Sequence, residues 1–285
     1  MKALIISGGG VYGIIPCRLM ACVDSSSLSR IDVFGGTSVG GILSLHLAKY
    51  GDPERMYSDF KGNVDRFFST TSLNKMNPFT PKYTAEGIES ALQAILPGKV
   101  SECKSKFVVP SFSMKRMSPV IFHNFTAQFA HMDLWKIARA TSAAPLIFPP
   151  FSENIFLDGG ILEKMPVITT AAMAFQSAGI KASDIDVLAI GTGTVDHDLT
   201  RTREEVASYT KLGWAKSLMP ILTTGGNELM SDFWARNMGF RSFTHFNPII
   251  IKGVMDDVSQ IGTIEEMCEL HLGDFLEKWN AFILS

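Results

Sequence analysis

Cysteine pairs, clustered charge and long apolar runs are all scarce in this sequence, and each scarcity excludes a class of protein. The cysteines are scattered and form no C-x-x-C pair: Cys17, Cys22, Cys103 and Cys268. This spacing argues against a metal site and against a disulfide framework. Reduced thiols in a cytosolic protein are the better interpretation.

Charge of one sign is not concentrated anywhere, since the net charge is −2 and no long basic run occurs. Nucleic acid is therefore not an expected partner, and electrostatic docking to acidic lipid is not expected either. Any membrane contact would have to be hydrophobic. No apolar run approaches the roughly 20 residues of a spanning helix, and the apolar segment at residues 3–6 is too short for a signal peptide. We therefore expect a cytoplasmic protein that can associate peripherally with membranes.

The sequence does contain enough apolar material for a large core. Apolar residues make up 46% of the 285 residues and charged residues 19%, which excludes an intrinsically disordered chain. There is no internal repeat, low-complexity tract or convincing linker. Residues 1–285 are therefore predicted to form one domain.

The central feature is a serine inside a glycine cluster, directly after an apolar segment at residues 31–34. Gly36-Thr37-Ser38-Val39-Gly40 has the G-x-S-x-G spacing of a nucleophile elbow, and a helix-like segment follows at 42–50. A serine at such a turn needs neighbours without side chains, here Gly36 and Gly40. The following helix would point its N-terminus at the site, where negative charge is stabilised.

Strand-like and helix-like segments alternate around this serine and along much of the chain. Strands are predicted at residues 3–6, 31–34, 107–109, 120–122, 154–157, 185–190 and near 243–246, and helices at 13–22, 42–50, 84–96, 133–140 and 166–178. This alternation predicts an α/β fold, a three-layer α/β/α sandwich with a mostly parallel central sheet.

The loop after the first strand, Gly8-Gly9-Gly10-Val11-Tyr12-Gly13, also fits the G-x-G-x-x-G pattern of dinucleotide-binding folds. Such a fold needs an acidic residue after its second strand, but Asp32 lies at the start of that strand and Ser38 follows its end. The glycines can instead expose backbone N–H groups to an oxyanion. A nucleotide-binding module and a plain glycine turn remain alternatives.

A serine nucleophile needs a base, and the usual base is histidine. The sequence has six histidines, and none of them lies in a glycine-rich context at a strand end. They are His46, His123, His131, His197, His245 and His271. Asp158 does, because it ends a short apolar strand and precedes Gly159 and Gly160. Its carboxylate could face a site, although Asp-Gly-Gly could also be only a turn.

The three motifs together resemble the patatin-like phospholipase family: Ser-Gly-Gly-Gly-Val-Tyr-Gly from Ser7, Gly-Thr-Ser-Val-Gly from Gly36, and Asp-Gly-Gly from Asp158. Further similarity lies in Ala140 to Pro145, in Ile190 to Thr194, and in Gly213-Trp214-Ala215-Lys216 and Met255-Asp256-Asp257. The resemblance covers roughly residues 3–275. In the α/β-hydrolases the serine elbow follows several strands, whereas Ser38 follows only the second, so a different sheet topology is expected.

The resemblance implies a serine lipid acyl hydrolase of the phospholipase A or lysophospholipase type, which cleaves fatty-acyl esters through an acyl-enzyme. It implies Ser38 as the nucleophile, Asp158 as the base, and the backbone N–H groups of Gly9, Gly10 and Val11 as the oxyanion hole. The other motif glycines would support these groups: Gly8, Gly13, Gly36, Gly40, Gly159 and Gly160. No cofactor or metal is expected. The expected partner is a phospholipid or other lipid ester, and an acyltransferase or thioesterase with the same dyad is the alternative enzyme.

The sequence departs from the family pattern at three places. Ser7 stands where the family often has aspartate, Tyr12 where it usually has a basic residue, and Glu163-Lys164-Met165-Pro166 where asparagines often precede the proline. A hole of backbone donors tolerates such changes in principle. We also expect aromatic residues near the rim to help at a lipid surface: Phe67, Phe68, Phe79 and Trp214.

Overall fold

The central sheet contains both parallel and antiparallel strands. The computed structural model describes residues 1–70, 80–194, 203–210, 213–214, 225–250 and 256–285. Its strands are β1 Lys2–Ile6, β2 Val33–Gly36, β3 Lys106–Ser113, β4 Ser118–His123, β5 Phe156–Asp158, β6 Asp186–Ile190 and β7 Ser242–Phe246. They lie in the order β4-β3-β2-β1-β6-β7, with β5 paired to β3. The run from β3 to β7 is parallel, whereas β4 and β5 are antiparallel to β3.

Helices connect the strands and cover the sheet. They are α1 Ile14–Met20, α2 Val39–Tyr50, α3 Pro53–Phe67, α4 Ala85–Ile95, α5 Leu134–Thr141, α6 Val167–Ala178, α7 Arg203–Ala207, α8 Gly225–Asn237 and α9 Ile261–Leu284. None of the helices within the described ranges is both long and apolar enough to cross a bilayer.

Alternate residues of the central strands enter two separate cores. In β1, Leu4 and Ile6 belong to the larger core, and Ala3 and Ile5 belong to the smaller one. The larger core contains residues of α1 to α5 and α9, and the smaller one contains residues of α6 and α8. Because both faces of the central strand β1 are covered, its residues from Ala3 to Ile6 are all apolar and buried. The three-layer sandwich with a mostly parallel sheet is confirmed.

The predicted elements are found with small shifts at their ends. The elbow helix begins at Val39 rather than residue 42, and β5 covers Phe156–Asp158 rather than 154–157. The predicted caps Thr84 and Asp133 do precede helices, but neither side chain bonds to the helix backbone. The carboxylate of Asp133 instead pairs with Lys99 and Lys136 at the surface.

The topology brings three loops to one edge of the sheet. β1 lies between β2 and β6, and all three are parallel, so the loops that follow them emerge side by side. β5 approaches from the opposite direction. It pairs with β3 at residues 111–113, beyond the part of β3 that pairs with β2, and so it ends near the end of β2. Asp158 is the last residue of β5.

Candidate active site

Ser38 occupies a strained turn between β2 and α2. Its backbone angles are φ 56° and ψ −126°, a conformation that non-glycine residues rarely adopt. The turn is tight, because a Cβ atom on Gly36 would overlap the carbonyl oxygen of Gly40, and one on Gly40 would overlap that of Ile6. The turn therefore requires glycine at both flanking positions of the G-x-S-x-G spacing. Ser38 itself remains partly exposed.

The glycine loop after β1 lies beside this turn. The carbonyl of Gly8 accepts a hydrogen bond from the Thr192 hydroxyl (2.8 Å), and its N–H donates to the carbonyl of Lys164 (2.9 Å). A short 3-10 turn follows at Gly10–Gly13, and its first hydrogen bond runs from Tyr12 N–H to the carbonyl of Gly9 (3.2 Å). The N–H groups of Gly9, Gly10 and Val11 precede that first bond, and the turn itself offers them no acceptor.

Asp158 is buried at the end of β5, with 4% of its surface exposed. Its Oδ1 accepts a hydrogen bond from Gly160 N–H (2.7 Å), and its carboxylate lies close enough to the Ser38 side chain for that side chain to affect its pKa. Burial raises the pKa of Asp158 to about 6, although the nearby Ser38 side chain and the hydrogen bond from Gly160 N–H act in the opposite direction. A carboxylate with this pKa is a stronger base than an ordinary aspartate and is still mostly ionised near neutral pH.

Thr141 is a contact of Ser38 that the sequence did not single out, although the segment around it was noted. Its hydroxyl accepts a hydrogen bond from Ser38 N–H (3.0 Å) and donates one to the carbonyl of Pro110 on β3 (2.6 Å). The last residue of α5 therefore ties the elbow to the sheet. Its only sequence signal was its place in a run of small residues.

Ser38, Asp158, Gly8, Gly9 and Gly10 line one cavity of about 290 Å³. Gly160 also lines it, whereas Val11 is fully buried and is not part of the wall. The remaining wall is mostly apolar and includes Ile42, Phe60, Phe67, Phe68, Ile88 and Phe148. An apolar cavity with a few convergent polar groups is typical of a small-molecule site. The arrangement suits attack on an ester whose acyl chain lies against the apolar wall.

The remaining motif glycines support this arrangement sterically. A Cβ atom on Gly13 would overlap Val39, and one on Gly159 would overlap the carbonyl oxygen of Pro110. These close approaches hold α2 and the loop after β5 against their neighbours.

The described histidines lie elsewhere. His46 contacts Asp59 (2.9 Å), His245 contacts Asp232 (3.0 Å) and His271 contacts the carbonyl of Ile249 (3.0 Å). Burial lowers the pKa of His46 and of His123. None of the histidines within the described ranges lines the cavity, and His197 lies outside those ranges. In the same ranges, no three His, Cys, Asp or Glu side chains cluster as metal ligands.

The rim aromatics divide into two groups. Phe67 is buried and Phe68 is half-buried, and both line the cavity, so they border the cavity interior and are not freely exposed at the outer surface. Trp214 is 42% exposed, and Phe79 lies outside the described residues. Leu146, which the sequence did not indicate, lines the cavity and is 65% exposed, so it lies at the mouth.

Comparison with known proteins shows which family this chain resembles. The family model described as patatin-like phospholipase matches residues 4–171. Patatin-15 of Solanum tuberosum is 29% identical over 277 residues, covering 82% of this chain and 71% of that protein. Patatin group J-1 of the same plant is 28% identical over 280 residues, with the same coverage.

Two solved structures also align with most of the chain. VipD of Legionella pneumophila aligns with a TM-score of 0.47 and 12% identity, covering 97% of this chain and 67% of that one. ExoU, from the ExoU–SpcU complex of Pseudomonas aeruginosa, aligns with a TM-score of 0.44 and 15% identity, covering 98% of this chain and 52% of that one.

Proposed function

We propose, from the premise that this chain belongs to the patatin-like phospholipase family, that it cleaves fatty-acyl esters of phospholipids or lysophospholipids through Ser38 and Asp158. Membership of the family supports a lipid acyl hydrolase activity. The observation that carries the finer proposal is that Ser38 and a buried Asp158 lie together in the wall of one mostly apolar cavity.

In the proposed acylation, Ser38 Oγ attacks the ester carbonyl carbon while the carboxylate of Asp158 takes the hydroxyl proton. The carbonyl oxygen becomes an oxyanion, which the N–H groups of Gly9 and Gly10 would stabilise, since these two of the three expected donors lie in the cavity wall. Loss of one such donor typically costs about 10²–10³ in rate. Asp158 then returns the proton to the leaving alcohol, and the acyl group stays on Ser38.

Deacylation repeats these roles with water as the nucleophile. Asp158 takes a proton from the water, the water oxygen attacks the acyl carbon, and the proton passes to Ser38 Oγ as the fatty acid leaves. The N-terminus of α2 and the oxyanion donors favour the negative charge that develops in both steps.

Two other functions remain as alternatives, but the geometry favours neither. An acyltransferase or thioesterase would use the same dyad with a different acceptor or leaving group. A nucleotide-binding module would use the glycine loop, yet that loop lines a cavity with mostly apolar walls. Such a fold also needs an acidic residue after its second strand to bind the ribose, and Ser38 follows β2 instead.

Access to lipid is proposed to be hydrophobic. Leu146 at the cavity mouth and Trp214 are exposed apolar side chains in a chain of net charge −2. Insertion of such side chains into a lipid surface gains about 0.8 kcal/mol for each CH₂ group removed from water. We propose peripheral membrane contact through these side chains, by a cytoplasmic protein that works as one catalytic domain without a cofactor.

A fluorophosphonate probe tests the proposed nucleophile. We expect it to label Ser38 in the wild-type protein and not in Ser38→Ala, and we expect Ser38→Ala to lose hydrolysis of lysophosphatidylcholine and of a p-nitrophenyl ester. The substitution should change stability by no more than about 1 kcal/mol, because the hydroxyl is small. Near wild-type turnover by a folded Ser38→Ala protein would refute the assignment.

A further inference from the structure

A buried ion pair lies behind the glycine loop and next to the cavity. Lys164 Nζ donates to Glu228 Oε2 at 2.5 Å, and both side chains are about nine-tenths buried or more. Lys164 lies in the loop after β5 and lines the cavity, and Glu228 lies on α8. Neither residue is needed for the proton transfers proposed above.

The pair is bonded to the glycine loop on two sides. Glu228 Oε1 accepts a hydrogen bond from the Ser7 hydroxyl (3.1 Å), and the carbonyl of Lys164 accepts one from Gly8 N–H (2.9 Å). Ser7 and Gly8 directly precede the proposed oxyanion donors Gly9 and Gly10. A shift of the pair would therefore move those donors relative to Ser38.

α8 also holds the loop that carries Asp158. Asn227, next to Glu228, accepts a hydrogen bond from Lys164 N–H (2.8 Å). Its amide nitrogen donates to the carbonyl oxygens of Gly160 (3.2 Å) and Leu162 (3.3 Å). One helix turn thus contacts both segments that must meet for catalysis, the glycine loop and the Asp158 loop.

The charges of this pair are hard to explain by stability alone. Burial of two ions costs free energy that their attraction often fails to recover, and well-packed apolar residues in their place are often equally or more stable. Glu228 is held as a carboxylate, because burial, which would raise its pKa, is outweighed by the neighbouring His245 ring and Lys164 side chain, which lower that pKa to about 2. Ser7 and Lys164, which both depart from the family pattern, each donate a hydrogen bond to the Glu228 carboxylate.

We propose that Lys164 and Glu228 are positioning residues that fix the glycine loop and the Asp158 loop in one geometry around Ser38. This inference rests on the proposed acyl hydrolase function, because it assigns the pair a role in placing the oxyanion donors. Its effect belongs to the transition state, since the donors act on charge that develops there.

The double variant Lys164→Met with Glu228→Leu tests the proposal, because it removes both charges and leaves no buried ion unpaired. We expect kcat for a p-nitrophenyl ester to fall about 10- to 100-fold, as small misplacements of catalytic groups do, while KM changes less than about twofold. Its thermal midpoint should equal or exceed that of Glu228→Gln, which leaves the Lys164 charge buried and unpaired.

Arg236→Gln is the matched control on α8, because Arg236 is mostly exposed and pairs with Asp232 on the same helix. It should keep the wild-type kcat. If the double variant recovers stability and also has the wild-type kcat, the pair is only structural and the proposal is overturned. If the wild-type protein shows no Ser38-dependent turnover, the proposed function and this inference both fail.

Discussion

At the scale of single residues, Asp158 combines two properties that ordinary aspartates lack. It is buried, and it lies in the wall of the same cavity as the Ser38 side chain. Burial disfavours its charged form, and the same burial makes the carboxylate more basic. Catalysis and stability therefore make opposite demands on this side chain.

The pH profile of hydrolysis should follow the ionisation of Asp158. Because the base must be unprotonated and its pKa is raised to about 6, kcat/KM should rise with pH and reach half its plateau near pH 6. Initial rates with a soluble ester between about pH 4.5 and 8.5 measure this. A profile with its midpoint near the ordinary aspartate value of about 4 would contradict the account of burial.

Asp158→Asn should abolish activity and stabilise the fold. A pKa that is raised on folding means that ionisation of Asp158 costs free energy above about pH 6, whereas below the unfolded-state value of about 4 the residue is neutral in both states. The free energy of unfolding of the variant should exceed that of the wild type by up to about 3 kcal/mol at pH 8. The gain should vanish near pH 4. Urea unfolding at the two pH values measures both, and a gain that is independent of pH would argue against this explanation.

At the scale of elements, the site depends on how closely α2 packs against β1. Gly40, in the first turn of α2, faces the carbonyl oxygen of Ile6 with no room for a side chain. Both elements are central, since β1 pairs on both sides and nearly all of α2 is buried. The elbow is therefore a product of the packing as well as of the turn.

Gly40→Ala should reduce the free energy of unfolding by at least about 2 kcal/mol, because the added methyl group must push backbone against backbone. Gly62→Ala is the matched control. Gly62 lies within α3 and has no atom within 4 Å of the position of an added Cβ, so this change should stabilise the protein by about 0.5–1 kcal/mol. Urea titrations of both variants give the comparison, and equal stabilities would show that α2 can move away from β1.

At the scale of the whole molecule, the described histidines are distributed around the fold and away from the cavity. His46 packs between α2 and α3, and His245 lies on β7 beside α8. His46 and His245 each contact a carboxylate outside the cavity, and neither contact requires a role in proton transfer.

Single replacement of each of the six histidines should therefore leave substantial ester hydrolysis wherever the variant folds, because in the proposed mechanism Asp158 takes the Ser38 proton directly. His245 is the most informative position, since it follows Asp158 in the chain order of a Ser–Asp–His triad. Circular dichroism establishes folding, and the soluble ester assay measures activity. A folded histidine variant as inactive as Ser38→Ala would replace the dyad with a triad.

Binding of the whole protein to lipid should be insensitive to salt. Hydrophobic contact by exposed residues such as Leu146 is not screened, whereas attraction between charges weakens as the Debye length shortens. Sedimentation with neutral phosphatidylcholine vesicles at about 0.05 M and about 0.5 M salt tests this. A steep loss of binding at the higher salt concentration would indicate charge-driven docking.

Sequence alone determined the features that depend on local sterics and periodicity. The apolar strands, the helices between them and the glycine spacing around Ser38 were all predictable, because each is imposed by neighbouring residues. The order of the motifs along the chain also indicated the family to which the chain belongs.

Only the tertiary structure decided which distant groups meet. Asp158 reaches Ser38 because β5 runs antiparallel to β3 and ends beside β2, a pairing that no local pattern encodes. Thr141 beneath the elbow and Glu228 behind the glycine loop were invisible for the same reason, since each lies about a hundred residues or more from its partner. The raised pKa of Asp158 is likewise a property of burial, which arises only when the layers close around the carboxylate.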